Sequence, residues 1–118
     1  MDNNGVIAAL SALAQPTRLD VFRMLTAREP AGVAAGDLAR FLEAPQNTMS
    51  AHLAVLARAG LIVGERHSRS IIYRADLERF RAVALYLLKD CCGGRADLCA
   101  PLIAELTLCR PQKADADA

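Results

Sequence analysis

The sequence predicts a mostly α-helical domain carrying one small β-hairpin, and three observations lead there. Apolar residues recur at helical spacing through residues 6–58. After Gly60 the period changes to two short β-branched runs, Leu61-Ile62-Val63 and Ile71-Ile72-Tyr73, separated by polar Glu65 to Ser70. Aromatic residues make up only 4% of the chain and there is no Trp, so Leu, Ala, Val and Ile must build the core, an Ala- and Leu-rich mixture that favours helices. With 118 residues, 53% of them hydrophobic, the chain is sized for one globular core and is not a disordered polymer.

Val6, Ile7, Leu10, Leu13 and Ala14 predict a short amphipathic first helix with one inward stripe. Pro16 suits the first turn of a second helix, where its missing amide costs nothing, and Leu19, Phe22 and Leu25 continue on one face. Glu29-Pro30-Ala31-Gly32 ends it. A third helix is expected over 35–43 with Leu38, Phe41 and Leu42 inward, and Ala44-Pro45 turns the chain into a fourth. The hairpin follows; its tip, His67-Ser68-Arg69, has no glycine and names no turn type. Asp76 caps a fifth helix that lines up Leu77, Phe80, Val83, Ala84 and Leu87, and Gly93-Gly94 stops it. Residues 1–90 are therefore read as the folded domain, and 91–118 as a thiol-bearing segment with a disordered tail after Arg110.

The fourth helix is the most informative. On a helical wheel Met49, Leu53 and Leu56 point one way, while Gln46, Asn47, Ser50, Ala54 and Arg58 point the other. A helix that enters the major groove needs an apolar face held by the scaffold and short donor–acceptor side chains facing the bases. Gln46 and Asn47 lie in the first turn and match adenine edges; Thr48 and Ser50 reach bases or phosphates. His52, at the buried edge of the wheel, is read as a packing or hydrogen-bonding group rather than a base contact. Net charge is only +1, yet residues 46–75 hold four arginines against one acid, Glu65. Arg66 and Arg69 flank the hairpin tip, where phosphate or minor-groove contact is natural, and Arg74 is left between contact and scaffold. The arrangement predicts a winged helix-turn-helix, with double-stranded DNA as the expected partner.

All four cysteines fall between Cys91 and Cys109. No apolar run approaches the roughly 18 residues that cross a bilayer, and Met1-Asp2-Asn3-Asn4 lacks the basic start of a signal peptide, so a cytoplasmic protein with no membrane partner is expected. In that reducing setting clustered thiols bind metals or undergo redox chemistry rather than building a framework. Cys91 and Cys92 are adjacent, glycines follow them, and Cys99 comes after six intervening residues with ample chain to converge. Three soft thiolates suit trivalent arsenic or antimony, As(III) or Sb(III), as a bound inducer, with no organic cofactor. Zinc, cadmium or lead with Cys109 as a fourth ligand, and a thiol-redox switch, are the alternatives. An enzyme is not expected: no Cys-x-x-Cys follows a strand, no anion-cradling loop precedes a helix, and no histidine lies near a cysteine.

The run Leu13-Ala-Gln-Pro-Thr-Arg-Leu19, the Gln46-Asn-Thr-Met-Ser50 helix, the Leu53-x-x-Leu-x-x-Ala-Gly-Leu61 stretch and the Tyr73-Arg74 strand end together resemble the ArsR/SmtB family over about residues 6–90. That resemblance implies small homodimeric repressors that sense metals or metalloids and bind inverted-repeat operators. The Cys-Cys…Cys pattern is similar to one arsenic-sensing ArsR subgroup, which implies arsenite binding at Cys91, Cys92 and Cys99 and release of DNA. Other members place a Cys-x-Cys pair where this chain has Ala34 and Gly36, and zinc-sensing members use Asp and His in the fifth helix, whereas this chain has no His after His67. Many relatives carry a histidine where this chain has Ala51, so one DNA contact of the family is missing.

Overall fold

The computed structural model describes residues 1–89 and 100–101. The chain divides into two units, Met1–Val83 and Ala84–Ala118. The elements run α1 (Asn3–Leu13), α2 (Pro16–Ala27), β1 (Val33–Ala34), α3 (Ala35–Phe41), α4 (Gln46–Arg58), β2 (Ile62–His67), β3 (Ser70–Ala75) and α5 (Leu77–Lys89). This is a mostly helical fold with a small antiparallel sheet, a winged helix-turn-helix.

The sheet has three strands rather than the two of the expected hairpin, in the order β1-β3-β2. Two residues suffice for β1, with Val33 opposite Tyr73 and Ala34 opposite Ile72. Gly32 permits this close approach: its φ is +79°, and a Cβ there would stand 2.6 Å from the Tyr73 carbonyl oxygen. In the β2–β3 pair Ile62 faces Ala75 and His67 faces Ser70, leaving Ser68 and Arg69 as a two-residue tip. Ser68 takes the positive φ, 62°, that the glycine-free tip requires.

The core of the first unit joins Val6, Ala9 and Ala12 of α1, Val21, Phe22 and Leu25 of α2, Leu38 of α3, Met49, Leu53 and Leu56 of α4, Leu61, Ile62 and Val83. Phe22 and Phe80 meet at 5.5 Å between ring centroids. Several apolar residues expected inward face out instead. Ile7 is 61% and Leu10 41% exposed, because α1 turns its small stripe, Val6-Ala9-Ala12, towards the core. Leu19 and Leu77 are exposed as well. Phe41 also lies outside, with the guanidinium groups of Arg40 and Arg28 over its ring, 5.2 and 5.6 Å from its centroid.

Caps account for most helix limits. Asp2 accepts from the Gly5 amide, Gln15 from the Arg18 amide with Pro16 in the first turn, and Asp76 from the Arg79 amide. Both helices of the helix-turn-helix end in the same reverse turn. After α3 the Ala44 amide reaches back to the Ala39 carbonyl and the Glu43 amide to that of Arg40; after α4 Leu61 reaches Leu56 and Gly60 reaches Ala57. The left-handed position is Gly60 in one case, at φ +83°, and Glu43 in the other, at φ 52°. The third helix therefore stops at Phe41, two residues short of the expected Glu43.

Candidate nucleic-acid interface

The turn Leu42–Pro45 delivers α4 with its two faces separated. Met49, Leu53 and Leu56 are buried, while Gln46, Asn47, Thr48, Ser50, Ala54 and Arg58 are exposed along one side. The burial follows from 3.6-residue periodicity, and it leaves a polar ridge of short side chains near the helix start. Pro45 precedes the helix and has no side-chain oxygen to cap it. The Asn47 Oδ1 takes that part locally, accepting from the Thr48 amide at 2.9 Å.

An open cleft beside Gln46 is lined by Gly36, Asp37, Arg40 and Ser70, so the starts of α3, α4 and β3 converge there. Arg40 is a cation at this cleft that helical periodicity did not single out. It is paired with Asp37 at 2.8 Å in an exposed contact that a phosphate could replace. The only sequence signal for it is a basic residue one turn before the Glu43-Ala44-Pro45 break.

The wing continues the surface. Of β2 only Ile62 is buried, and Arg66 and Arg69 project from an exposed strand and tip. Glu65 and His67, two residues apart and so on one face, pair at 3.0 Å. Arg74 is resolved as a scaffold residue. Its Nη2 donates to Glu29 Oε1 at 2.8 Å and its Nε to Oε2 at 3.4 Å, a two-point clamp from β3 to the end of α2. The hydrogen bond to Glu29, then that carboxylate's charge, raises the Arg74 guanidinium further above its ordinary range, so it stays charged.

The helix α4 is also tied by polar contacts that the sequence did not reveal as pairs. His52, half-buried, has its Nδ1 3.3 Å from Arg18 Nη1 of α2, in keeping with the hydrogen-bonding role read for it. At the far end of α4, Arg79 Nε donates to the Ala59 carbonyl at 3.3 Å. It rests on Gly60, where a Cβ would stand 2.7 Å from that nitrogen.

Cys91, Cys92 and Cys99, read as the inducer ligands, lie outside the described residues, as does Cys109. Among the described residues, no group of three or more His, Cys, Asp or Glu side chains is placed to hold a metal ion. No helix among them is long and apolar enough to cross a membrane.

Comparison with known proteins places these features. A helix-turn-helix domain family matches residues 13–65. The HTH-type transcriptional regulator NmtR of Mycobacterium tuberculosis is 40% identical over 68 residues, 58% of this chain and 54% of its own, so the match spans about half that regulator's length. A crystal structure described as a possible transcriptional regulator for arsenical resistance is 33% identical, covers 64% of this chain and 78% of its own, and superposes with a TM-score of 0.55. The homodimeric winged helix-turn-helix DNA-binding domain of a possible ArsR-family regulator from Mycobacterium bovis is 26% identical, covers 72% and 77%, and has a TM-score of 0.61.

Proposed function

Because the chain belongs to the ArsR family of winged helix-turn-helix transcriptional regulators, we propose that it is an arsenite- or antimonite-responsive repressor that holds operator DNA until the metalloid binds. That fold and family are those of DNA-binding regulators, not enzymes. The observation that carries the DNA half is the exposed ridge of Gln46, Asn47, Thr48 and Ser50 on a helix whose opposite face is buried. Beside it stand Arg66 and Arg69 of the wing, suited to phosphates.

A homodimer is the natural state for this reading. The outward stripe of α1, with Ile7 and Leu10 exposed, is left uncovered among the described residues, and the M. bovis relative is homodimeric. Two recognition helices would meet successive major grooves about 34–36 Å apart, on an inverted repeat.

For the inducer, the argument is the donor set. Cys91, Cys92 and Cys99 supply three soft thiolates, which match a trivalent metalloid better than the tetrahedral, four-ligand demand of zinc. A relative described for arsenical resistance supports the same ligand. Release follows if the bound form favours a dimer geometry that no longer fits the operator.

The test is fluorescence anisotropy of the reduced protein on labelled DNA from upstream of its own coding region, titrated with arsenite and, separately, zinc. Arsenite should release the DNA, and Cys91→Ser, Cys92→Ser and Cys99→Ser should each abolish the response. Tight DNA binding indifferent to arsenite would retain the repressor and remove the ligand; release by zinc, cadmium or oxidant would then assign the thiols to a divalent-metal or redox switch.

A further inference from the structure

We propose that Arg18 is a positioning residue for DNA reading, acting through His52; this rests on the reading of α4 as the recognition helix. Arg18 sits half-buried in the first turn of α2, its amide fixed by Gln15 Oε1 at 2.9 Å. Its side chain then makes two bonds to two other helices. The Nε donates to the Ala12 carbonyl in the last turn of α1 at 2.7 Å, and Nη1 lies 3.3 Å from His52 Nδ1 on α4, 34 residues away in sequence.

A guanidinium has five donors and no acceptor. For the contact to be a hydrogen bond, His52 Nδ1 must accept, which requires the tautomer with its proton on Nε2. This makes the contact a directed, charge-assisted bond between two side chains.

Direction is what the apolar face of α4 lacks. Met49, Leu53 and Leu56 hold the helix onto the core, but hydrophobic attraction depends on buried area and hardly on orientation. A small roll of α4 about its own axis would keep those residues covered while swinging Gln46, Asn47 and Ser50 across the groove. The Arg18–His52 bond resists that roll, because His52 lies at the edge between the buried and exposed faces. It also joins the roll of α4 to the carbonyl end of α1, the helix with the outward apolar stripe. One side chain thereby connects the candidate dimer face to the DNA-reading face.

The experiment has two arms. Isotope-labelled protein is read by long-range proton–nitrogen spectra of its two histidine rings, with His67→Gln separating the signals. Wild-type His52 should show a bare Nδ1 and a protonated Nε2, and Arg18→Met should average the tautomers. In the second arm, affinity for the labelled upstream DNA is measured alongside melting temperature. Arg18→Met and His52→Phe should each weaken binding about tenfold, the scale of one charge-assisted hydrogen bond. The double variant should be no weaker than Arg18→Met alone, because Arg18→Met already removes the bond to His52. His52→Asn, whose Oδ1 replaces Nδ1 as acceptor, should keep most of the affinity that His52→Phe loses.

A wild-type ring protonated at Nδ1 would overturn the proposal. So would additive losses in the double variant, or His52→Asn binding as weakly as His52→Phe. If Arg18→Met does not fold, the Phe and Asn variants at position 52 decide alone. A wild type that binds no DNA would sink the DNA reading itself and the positioning role with it, an outcome distinct from variants that differ from a binding wild type.

Discussion

The two ends of α4 are built in opposite ways. At its C-terminus Gly60 takes the left-handed turn, Leu61 and Ala59 are buried, and Arg79 bonds the Ala59 carbonyl. At its N-terminus the chain arrives through Glu43, a left-handed residue with a Cβ, and Pro45 gives the first turn no side-chain cap. The glycine turn, its buried flanks and the side-chain bond to a helix carbonyl all lie at the end away from the proposed DNA contact. The reading end keeps exposed amide and hydroxyl side chains, whose hydrogen-bonding capacity a duplex can use. A recognition helix so arranged is anchored by one terminus and offered by the other.

The largest effect should come from breaking the anchored end. Gly60→Val forces a β-branched residue to φ +83° and sets its Cβ against the Arg79 guanidinium. A loss on the order of 2–3 kcal/mol in chemical denaturation is expected from the conformational penalty together with the displaced bond. An unfolding midpoint within error of wild type would mean that the terminus is not the anchor described.

Breaking the offered end should cost DNA binding instead. Gln46→Ala and Asn47→Ala should each lower discrimination between the operator and single-base variants by about 1–3 kcal/mol at one position, with the unfolding midpoint unchanged for Gln46→Ala and slightly lowered for Asn47→Ala, which also removes the acceptor of the Thr48 amide. Equal weakening on all sequences would reassign these residues to the phosphate backbone. Arg66→Ala and Arg69→Ala sharpen the contrast further. Each should weaken binding on all sequences alike and lower the salt dependence, log K against log salt, by about one for each phosphate left without its arginine. An unchanged slope would take the wing off the DNA.

What was legible in the sequence follows the same division. The two faces of α4 could be read because its large apolar residues recur at one spacing and small polar ones fill the rest. The Asp76 and Pro16 helix starts were legible because local chemistry decides them. In α1 the same reasoning held for Val6, which is buried, and Leu13, which packs on the core, but failed for Ile7 and Leu10: the helix turns Ala9 and Ala12 inward and leaves those two bulkier residues exposed. The strand β1 has two residues and thus no period to detect. Arg18–His52 and Arg74–Glu29 join positions 34 and 45 residues apart, and a single sequence carries no signal for such pairs. Of the candidate site, the DNA-facing residues could be proposed from pattern, but the contacts that aim them could not.

Glu43 offers the smallest and most discriminating test. It occupies the position that Gly60 fills in the other helix of the pair, with the same two backward amide bonds around it. A residue with a Cβ at φ 52° carries a penalty of about 1–2 kcal/mol relative to glycine, against about 0.5–1 kcal/mol for the extra freedom glycine has when unfolded. Glu43→Gly should therefore stabilise the protein by about 0.5 kcal/mol, a rise of about 2–3 °C in Tm. The substitution also removes an acid near the proposed DNA surface, which by itself would favour binding. Glu43→Ala separates the two effects, because it makes the same charge change while keeping the Cβ. A Gly variant more stable than the Ala variant, with both binding DNA equally, would locate the penalty in the turn and show the reading end tolerating a softer approach. A Gly variant that is more stable yet binds DNA more weakly than the Ala variant would show something else. The left-handed Glu43 would then restrict the entry of α4, and the unanchored end would owe its aim to that restriction.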